Sequence, residues 1–300
     1  VTYTPETSGT VYVVADSFMG DDYGAYSLSV ESEVVVDQTP PDYVGPAHSS
    51  YPYSAVTYVE ATFPNGETYT GSGAVVGEND VLTASHVIYS APDGGLAESI
   101  TVYPGRDGTD QPYGSYDADL ADYYEVDSDG DGFFYRDESE DDLAVLGFDT
   151  DFGNQTGWFG LDPGASSDSY NLTGFPGDRA TEQGPRMVND QGVVTENSTY
   201  YVFDYETIES DPGSSGGPLW YQEEDDPYIV GVASTLGWAT DVASRYSDIL
   251  DAIDGNNDLY QSSSIATRVE VNDEPGSLAD VEIVGVDSEY GQSLLPAVSA

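Results

Sequence analysis

Apolar and polar positions alternate in short runs through most of the chain. Val56–Phe63, Thr68–Val76 and Val81–Thr83 read as strands, separated by a Pro-Asn-Gly turn and a Gly-Glu-Asn-Asp turn. A second series follows at Tyr170–Thr173, Gly192–Asn197, Tyr200–Tyr205, Pro218–Tyr221 and Tyr228–Ser234. Many short strands with turn signals at this spacing predict a sandwich or a barrel. Helical periodicity is confined to residues 241–254, DVASRYSDILDAID, where Val242, Tyr246, Ile249, Leu250 and Ile253 share a face and Gly255 is the expected stop. Beyond it, residues 256–300 are polar and weakly patterned, with one strand-like run at Val281–Val286, and no internal repeat is found.

The N-terminal part differs. Thr10–Ala15 and Ala25–Val30 read as two strands joined by a Gly/Asp-rich turn, and two strands alone are marginally stable at best. Residues 37–54, DQTPPDYVGPAHSSYPYS, hold four prolines and are expected to be a linker, with His48 a solvated residue within it. The predicted organisation is a partial β-sandwich at 1–36, a linker at 37–54, a catalytic-sized β domain at 55–255 and an extension of unassigned role at 256–300.

Charge narrows the function classes. Asp and Glu number 56 against 6 Lys and Arg, a formal net charge of −50. Such a surface repels nucleic acid and anionic membranes. Self-repulsion at this density is screened in brine, where the Debye length falls to about 3 Å at 1 M salt, so the chain reads as salt-adapted. With 38% hydrophobic residues and 25 Tyr it is too apolar for a disordered acidic tail. No stretch approaches the ~20 apolar residues of a membrane-spanning helix, so no membrane insertion is expected. Without cysteine, neither a disulfide framework nor a thiolate zinc site is available. The chain starts at Val1, as expected of a processed or truncated form.

Three segments carry candidate chemistry. A serine hydroxyl needs a base to remove its proton, and the base works best when a third group fixes its tautomer. In DPGSSGGPLW, residues 211–220, Gly213, Gly216 and Gly217 let the backbone turn tightly around Ser215 and aim amide N–H groups at one spot. His86, one of two histidines, lies in VLTASHVI, where a strand runs into a small-residue turn. Asp142 and Asp141 form an acidic pair entering the apolar run of DDLAVLGF. The order is His, Asp, Ser, with separations of 56 and 73 residues.

GSGAVVGENDVLTASHV, DDLAVL and GSSGGPL together resemble the catalytic blocks of the trypsin-fold serine peptidases. TVYPGRDGTDQPYGSY and NLTGFPGD resemble the glutamyl-endopeptidase-like branch, the likeness running from about Val56 to Asp254. The resemblance implies an all-β fold of two six-stranded antiparallel β-barrels with a C-terminal helix. It implies Ser215 as nucleophile, His86 as general base and then acid, Asp142 rather than Asp141 as orienting carboxylate, and the N–H groups of Gly213 and Ser215 as oxyanion hole. The N-terminal SGTVY and GAYSLSV segments resemble a pre-peptidase C-terminal domain.

Two departures bear on control and specificity. Ser214 stands where activated trypsin-like enzymes carry an Asp that pairs with a freed amino terminus, so that ion pair is not expected. The pocket histidine of glutamate-specific members corresponds to Ala233 or Ser234, next to Thr235, which argues against glutamate specificity. Glu209, six residues before Ser215, falls near the pocket base, with Asp211 close by, and an acid there would favour Lys or Arg by direct charge pairing.

DSDGDGFFYRDE, residues 127–138, fits a calcium-loop template. Asp127, Asp129, Asp131, Phe133 through its carbonyl, Tyr135 and Glu138 take the ligand positions, Gly132 takes the sharp turn and Phe134 is the apolar eighth residue. A bound Ca²⁺ would brace the loop carrying Asp142; the chemistry itself requires no cofactor. The expectation is a secreted, monomeric, salt-adapted serine endopeptidase acting on polypeptides. A catalytically silent binding module of the same fold and a calcium-binding surface protein are the alternatives.

Overall fold

The computed structural model describes residues 42–126, 138–166, 168–205, 207–235, 237–269 and 293–294, with side chains of the last helix described as far as residue 257. The predicted N-terminal hairpin, the Val281–Val286 run and residues 127–137 of the acidic loop lie outside these. Twelve strands make up the body of two sheets, to which short two-residue strands add. In the first are β1 (Val56–Thr62), β2 (Thr68–Val75), β3 (Asp80–Thr83), β4 (Ser99–Pro104), β5 (Leu120–Tyr123) and β6 (Ala144–Gly147). In the second are β7 (Ser169–Gly174), β8 (Val188–Asn197), β9 (Val202–Tyr205), β10 (Pro218–Glu223), β11 (Asp226–Ala233) and β12 (Trp238–Asp241).

The second sheet closes on itself. Its order is β8-β7-β10-β11-β12-β9, and β9 pairs back onto β8, with Val194 opposite Tyr205 and Asn197 opposite Val202. Closure leaves no edge in that six-stranded barrel. The first sheet runs β5-β6-β3-β2-β1-β4, extended by Tyr116–Asp117 beyond β4 and Ser293–Leu294 beyond β5. This half-open barrel, the closed barrel and a C-terminal helix make up the all-β, two-barrel architecture expected from the sequence. Val59, Ala61, Val81, Leu82, Ile100 and Leu146 fill the first barrel; Leu172, Val194, Phe203, Leu219 and Val230 fill the second. Between them Phe175 packs edge-on against Tyr58 with ring centroids 5.4 Å apart, which fixes the seam where the site lies.

Three sequence expectations are corrected. The segment from residue 42 is folded, not a linker. Asp42–Tyr43 pairs with β8, Pro46 occupies the first turn of a 3-10 helix at Gly45–Ser49, and Ser54 donates to Thr156 O at 2.6 Å. Proline at a helix start replaces an N–H that needs no partner there, so its presence does not oppose structure. His48 is buried, not solvated: its Nδ1 lies 2.5 Å from Gly105 O and its Nε2 3.3 Å from Asp110.

The third concerns the helix. A 3-10 turn at Val242–Arg245 leads into an α-helix at Tyr246–Val269 that passes straight through Gly255. A glycine inside a helix costs only ~1 kcal/mol, and the next residue, Asn256, is buried and donates to Asp80 Oδ1 at 2.8 Å. Ile249, Ala252 and Asn256 form the inward face, whereas Leu250 is exposed.

Candidate active site

The structure brings His86, Asp142 and Ser215 to the seam from three different elements. β3 ends at Thr83, and His86 sits in the one-turn helix Ser85–Ile88 that follows. Ser85 anchors this turn from below, its Oγ donating to Leu143 O at 2.6 Å. Asp142 follows the 3-10 turn Ser139–Asp141 and immediately precedes Leu143 and β6.

The two side chains meet at short range. His86 Nδ1 lies 2.7 Å from Asp142 Oδ2, and the His86 backbone N–H donates to Asp142 Oδ1 at 2.9 Å. An ionised carboxylate only accepts, so the Nδ1 atom carries the proton of that bond and Nε2 is left for the cleft. Asp142 is 1% exposed. Burial alone would push its carboxyl up, but the His86 charge and hydrogen bonds from His86 and Ser234 outweigh burial and hold it below the ordinary carboxylate range.

Ser215 lies in a loop that only glycine can build. Gly216 has φ +83°, and a Cβ there would lie 2.1 Å from Ser72 O. Gly213 has φ +104°, and a Cβ there would lie 2.5 Å from Phe175 O. Ser72 of β2 ties the loop down: its N–H donates to Ser215 O at 2.7 Å, and its Oγ donates to Gly213 O at 2.7 Å while accepting from Phe175 N at 2.9 Å. Among the described residues neither the Gly213 nor the Ser215 N–H has an acceptor, so both remain available to a bound oxygen. The Ser215 hydroxyl donates to Ser234 O at 3.3 Å and shares with His86 a cleft of about 220 Å³, whose wall is completed by Ser210, Asp211, Pro212, Ser234 and Thr235.

The residues expected to touch substrate separate into different roles. Thr235 faces the cleft, and its Oγ1 is buried with no hydrogen-bond partner among the described residues. Ala233 does not face the cleft; its methyl packs in the core of the second barrel. Ser234 lines the cleft, but its hydroxyl donates to Asp142 Oδ2 at 2.5 Å. Glu209 is already occupied, with Arg179 at 2.7 Å, so the charge expected to attract a basic side chain is neutralised from within. Asp141, the rival to Asp142, instead pairs with Arg245. Of the calcium-loop residues only Glu138 is described, as the residue that opens the Ser139–Asp141 turn; Asp127, Asp129, Asp131, Phe133 and Tyr135 lie outside the described part. Sequence reading missed the part of Ser234 in holding Asp142. Its partner is 92 residues away, and a serine at the end of a buried strand carries no local signal of it.

Comparison with known proteins agrees with the two-barrel fold. The family model of the trypsin-like peptidase domain matches residues 71–232. An extracellular metalloprotease of Bacillus subtilis is 35% identical over 182 residues, covering 59% of this chain and 54% of that protein. A glutamyl endopeptidase of Bacillus licheniformis is 27% identical over 189 residues, covering 62% and 54%. The chain therefore spans about half the length of the curated relatives it matches. The solved structure of a Glu endopeptidase in complex with MPD superposes with a TM-score of 0.57 at 22% identity, covering 70% of this chain and 94% of that one, a likeness of fold.

Proposed function

Because the chain belongs to the trypsin-like peptidase domain family, we propose that it is a serine endopeptidase that cleaves polypeptides through an acyl-enzyme on Ser215. The observation that carries this reading is the buried Asp142 carboxylate 2.7 Å from His86 Nδ1, at the rim of a cleft that also holds Ser215. In the proposed reaction His86 Nε2 accepts the Ser215 proton as the oxygen attacks the scissile carbonyl, and later returns it to the leaving amine. Asp142 keeps the imidazole in that tautomer and stabilises its charged form. The N–H groups of Gly213 and Ser215 receive the developing oxyanion, a contribution of about 10²–10³ in rate per donor. Proton transfer and covalent catalysis need no cofactor here.

The acidic surface supports adaptation to high salt, and the first relative above is itself named extracellular, which supports secretion; a monomer is the accompanying expectation. That relative is also named a metalloprotease, which sets the terms of the test. A fluorophosphonate probe, applied at low and high salt to the parent and to Ser215→Ala, should label the parent alone. Absence of labelling in folded parent protein would refute the reading and favour a silent binding module; peptidase activity abolished by chelator and surviving Ser215→Ala would favour a metal-dependent one.

A further inference from the structure

Three strands of the first barrel come to an end side by side. Ala144, the first residue of β6, pairs with Thr83 of β3 on one flank and with Tyr123 of β5 on the other. One step further, the register would set Leu143 opposite Tyr124 as the next rung between β6 and β5. The Ser85 hydroxyl stands between these two. It accepts from the Tyr124 N–H at 3.1 Å and donates to Leu143 O at 2.6 Å. A backbone N–H only donates and a carbonyl only accepts, so the direction of both bonds is fixed. Ser85 is fully buried.

Ser85 and Leu143 are the chain neighbours of His86 and Asp142. Three bonds therefore join the two segments: Ser85 Oγ to Leu143 O, the His86 N–H to Asp142 Oδ1 at 2.9 Å, and His86 Nδ1 to Asp142 Oδ2 at 2.7 Å. Without the hydroxyl, Leu143 O and the Tyr124 N–H would face each other across the space of one oxygen. A buried carbonyl that loses its donor is costly, and the nearest way to regain one is to draw Leu143 towards β5. Tyr124 is held from its far side, its hydroxyl donating to Asp248 Oδ2 at 2.7 Å and its ring 5.0 Å from Arg245 Cζ, so Leu143 is the partner that yields. Moving Leu143 moves Asp142, one residue back. On the serine-peptidase reading above, we propose that Ser85 is a positioning residue for catalysis: its hydroxyl is a spacer that holds β5 and β6 apart beyond their last rung and so sets how Asp142 meets His86.

Ser85→Ala removes the spacer at little cost in volume. Three quantities are read: the fluorophosphonate acylation rate, kcat and KM on peptide substrates, and the far-downfield ¹H NMR signal of the proton between His86 and Asp142. The variant should lose about tenfold in kcat and in acylation rate with KM within about twofold, as expected when one orienting hydrogen bond acts on the reacting groups. The downfield signal should move or broaden. Lower stability towards urea with an unmoved signal and unchanged kcat would make Ser85 merely structural and overturn the proposal, as would a change in KM alone. Should Ser85→Ala not fold, Ser85→Cys, whose thiol fills the site but donates weakly, decides the matter by the same readouts. The NMR signal is also compared with and without Ser85→Ala in the Ser215→Ala background, where nothing is acylated. Folded parent that fails to label therefore overturns the peptidase reading, while the signal still judges the spacing role of Ser85.

Discussion

Asp80 offers a sharp test of the electrostatics inside the first barrel. It opens β3, is fully buried, and has an amide as its side-chain partner, Asn256 Nδ2 at 2.8 Å. Burial pushes its carboxyl up to about 7; the Asn256 bond and the Asn79 backbone pull it down, and the charges of Asp254 and Glu78 push it up. The gap between the ordinary 3.8 and about 7 is worth roughly 4 kcal/mol. Between those values the folded protein binds more protons at this site than the unfolded chain. The contribution of Asp80 to stability is therefore fully present below 3.8, falls as pH rises through the window, and is flat above about 7.

Asp80→Asn removes the titration. Its carbonyl can still accept from Asn256, and its amide brings donors to a cluster where Asn79 Oδ1 and Asn256 Oδ1 are buried without one among the described residues. The variant should exceed the parent by roughly 3–4 kcal/mol near pH 8, with the advantage shrinking to about 1–2 kcal/mol near pH 5. Urea unfolding at constant high salt, followed by circular dichroism in a Ser215→Ala background to prevent self-cleavage, measures both. An advantage that stays constant with pH, or grows as pH falls, would refute the assignment of that energy to a buried Asp80 charge.

Asp142→Asn should slow fluorophosphonate labelling by about 10⁴-fold while leaving the fold intact, because the amide favours the wrong imidazole tautomer; stopped-time labelling gels read this directly. Gly216→Ala places a Cβ 2.1 Å from Ser72 O at a positive φ, so the variant should fail to give folded, labelled protein, as judged by circular dichroism and probe labelling. Melting temperature of the parent should climb with NaCl and level off once the Debye length is about 3 Å, near 1 M; a melting temperature indifferent to salt would remove the case for salt adaptation.

How much was legible depended on whether the signal was local. β1, β2 and β3 were readable to within a residue or so because alternation and turn chemistry sit in the strand itself. The blocks around His86, Asp142 and Ser215 were readable because each pairs a chemical residue with a small or apolar context. His48 was misread because its burial comes from Gly105, 57 residues on, and proline content spoke louder than that contact. The helix stop was misplaced because the reason to continue, Asn256 bonding to Asp80 across 176 residues, is invisible at Gly255. Glu209 illustrates the same limit: an acid near the expected pocket base was legible, but the arginine that neutralises it, 30 positions earlier, was not.

The placement of the arginines reaches beyond the fold. The chain has no lysine, and the side chains of four of its six arginines are described. Arg106 lies over the rings of Tyr58 and Tyr103 at 4.7 and 4.6 Å, Arg179 is held by Glu209, Arg186 by Asp107 and Tyr43, and Arg245 by Asp141 and Tyr124. Each of these cations is spent inside its own molecule. What two copies show one another is then almost purely negative, so pair repulsion dominates in dilute buffer and salt weakens it. On the salt-adapted reading, the salt that screens repulsion within one molecule also screens it between molecules, so colloidal spacing and conformational stability would be tuned by one variable in opposite senses.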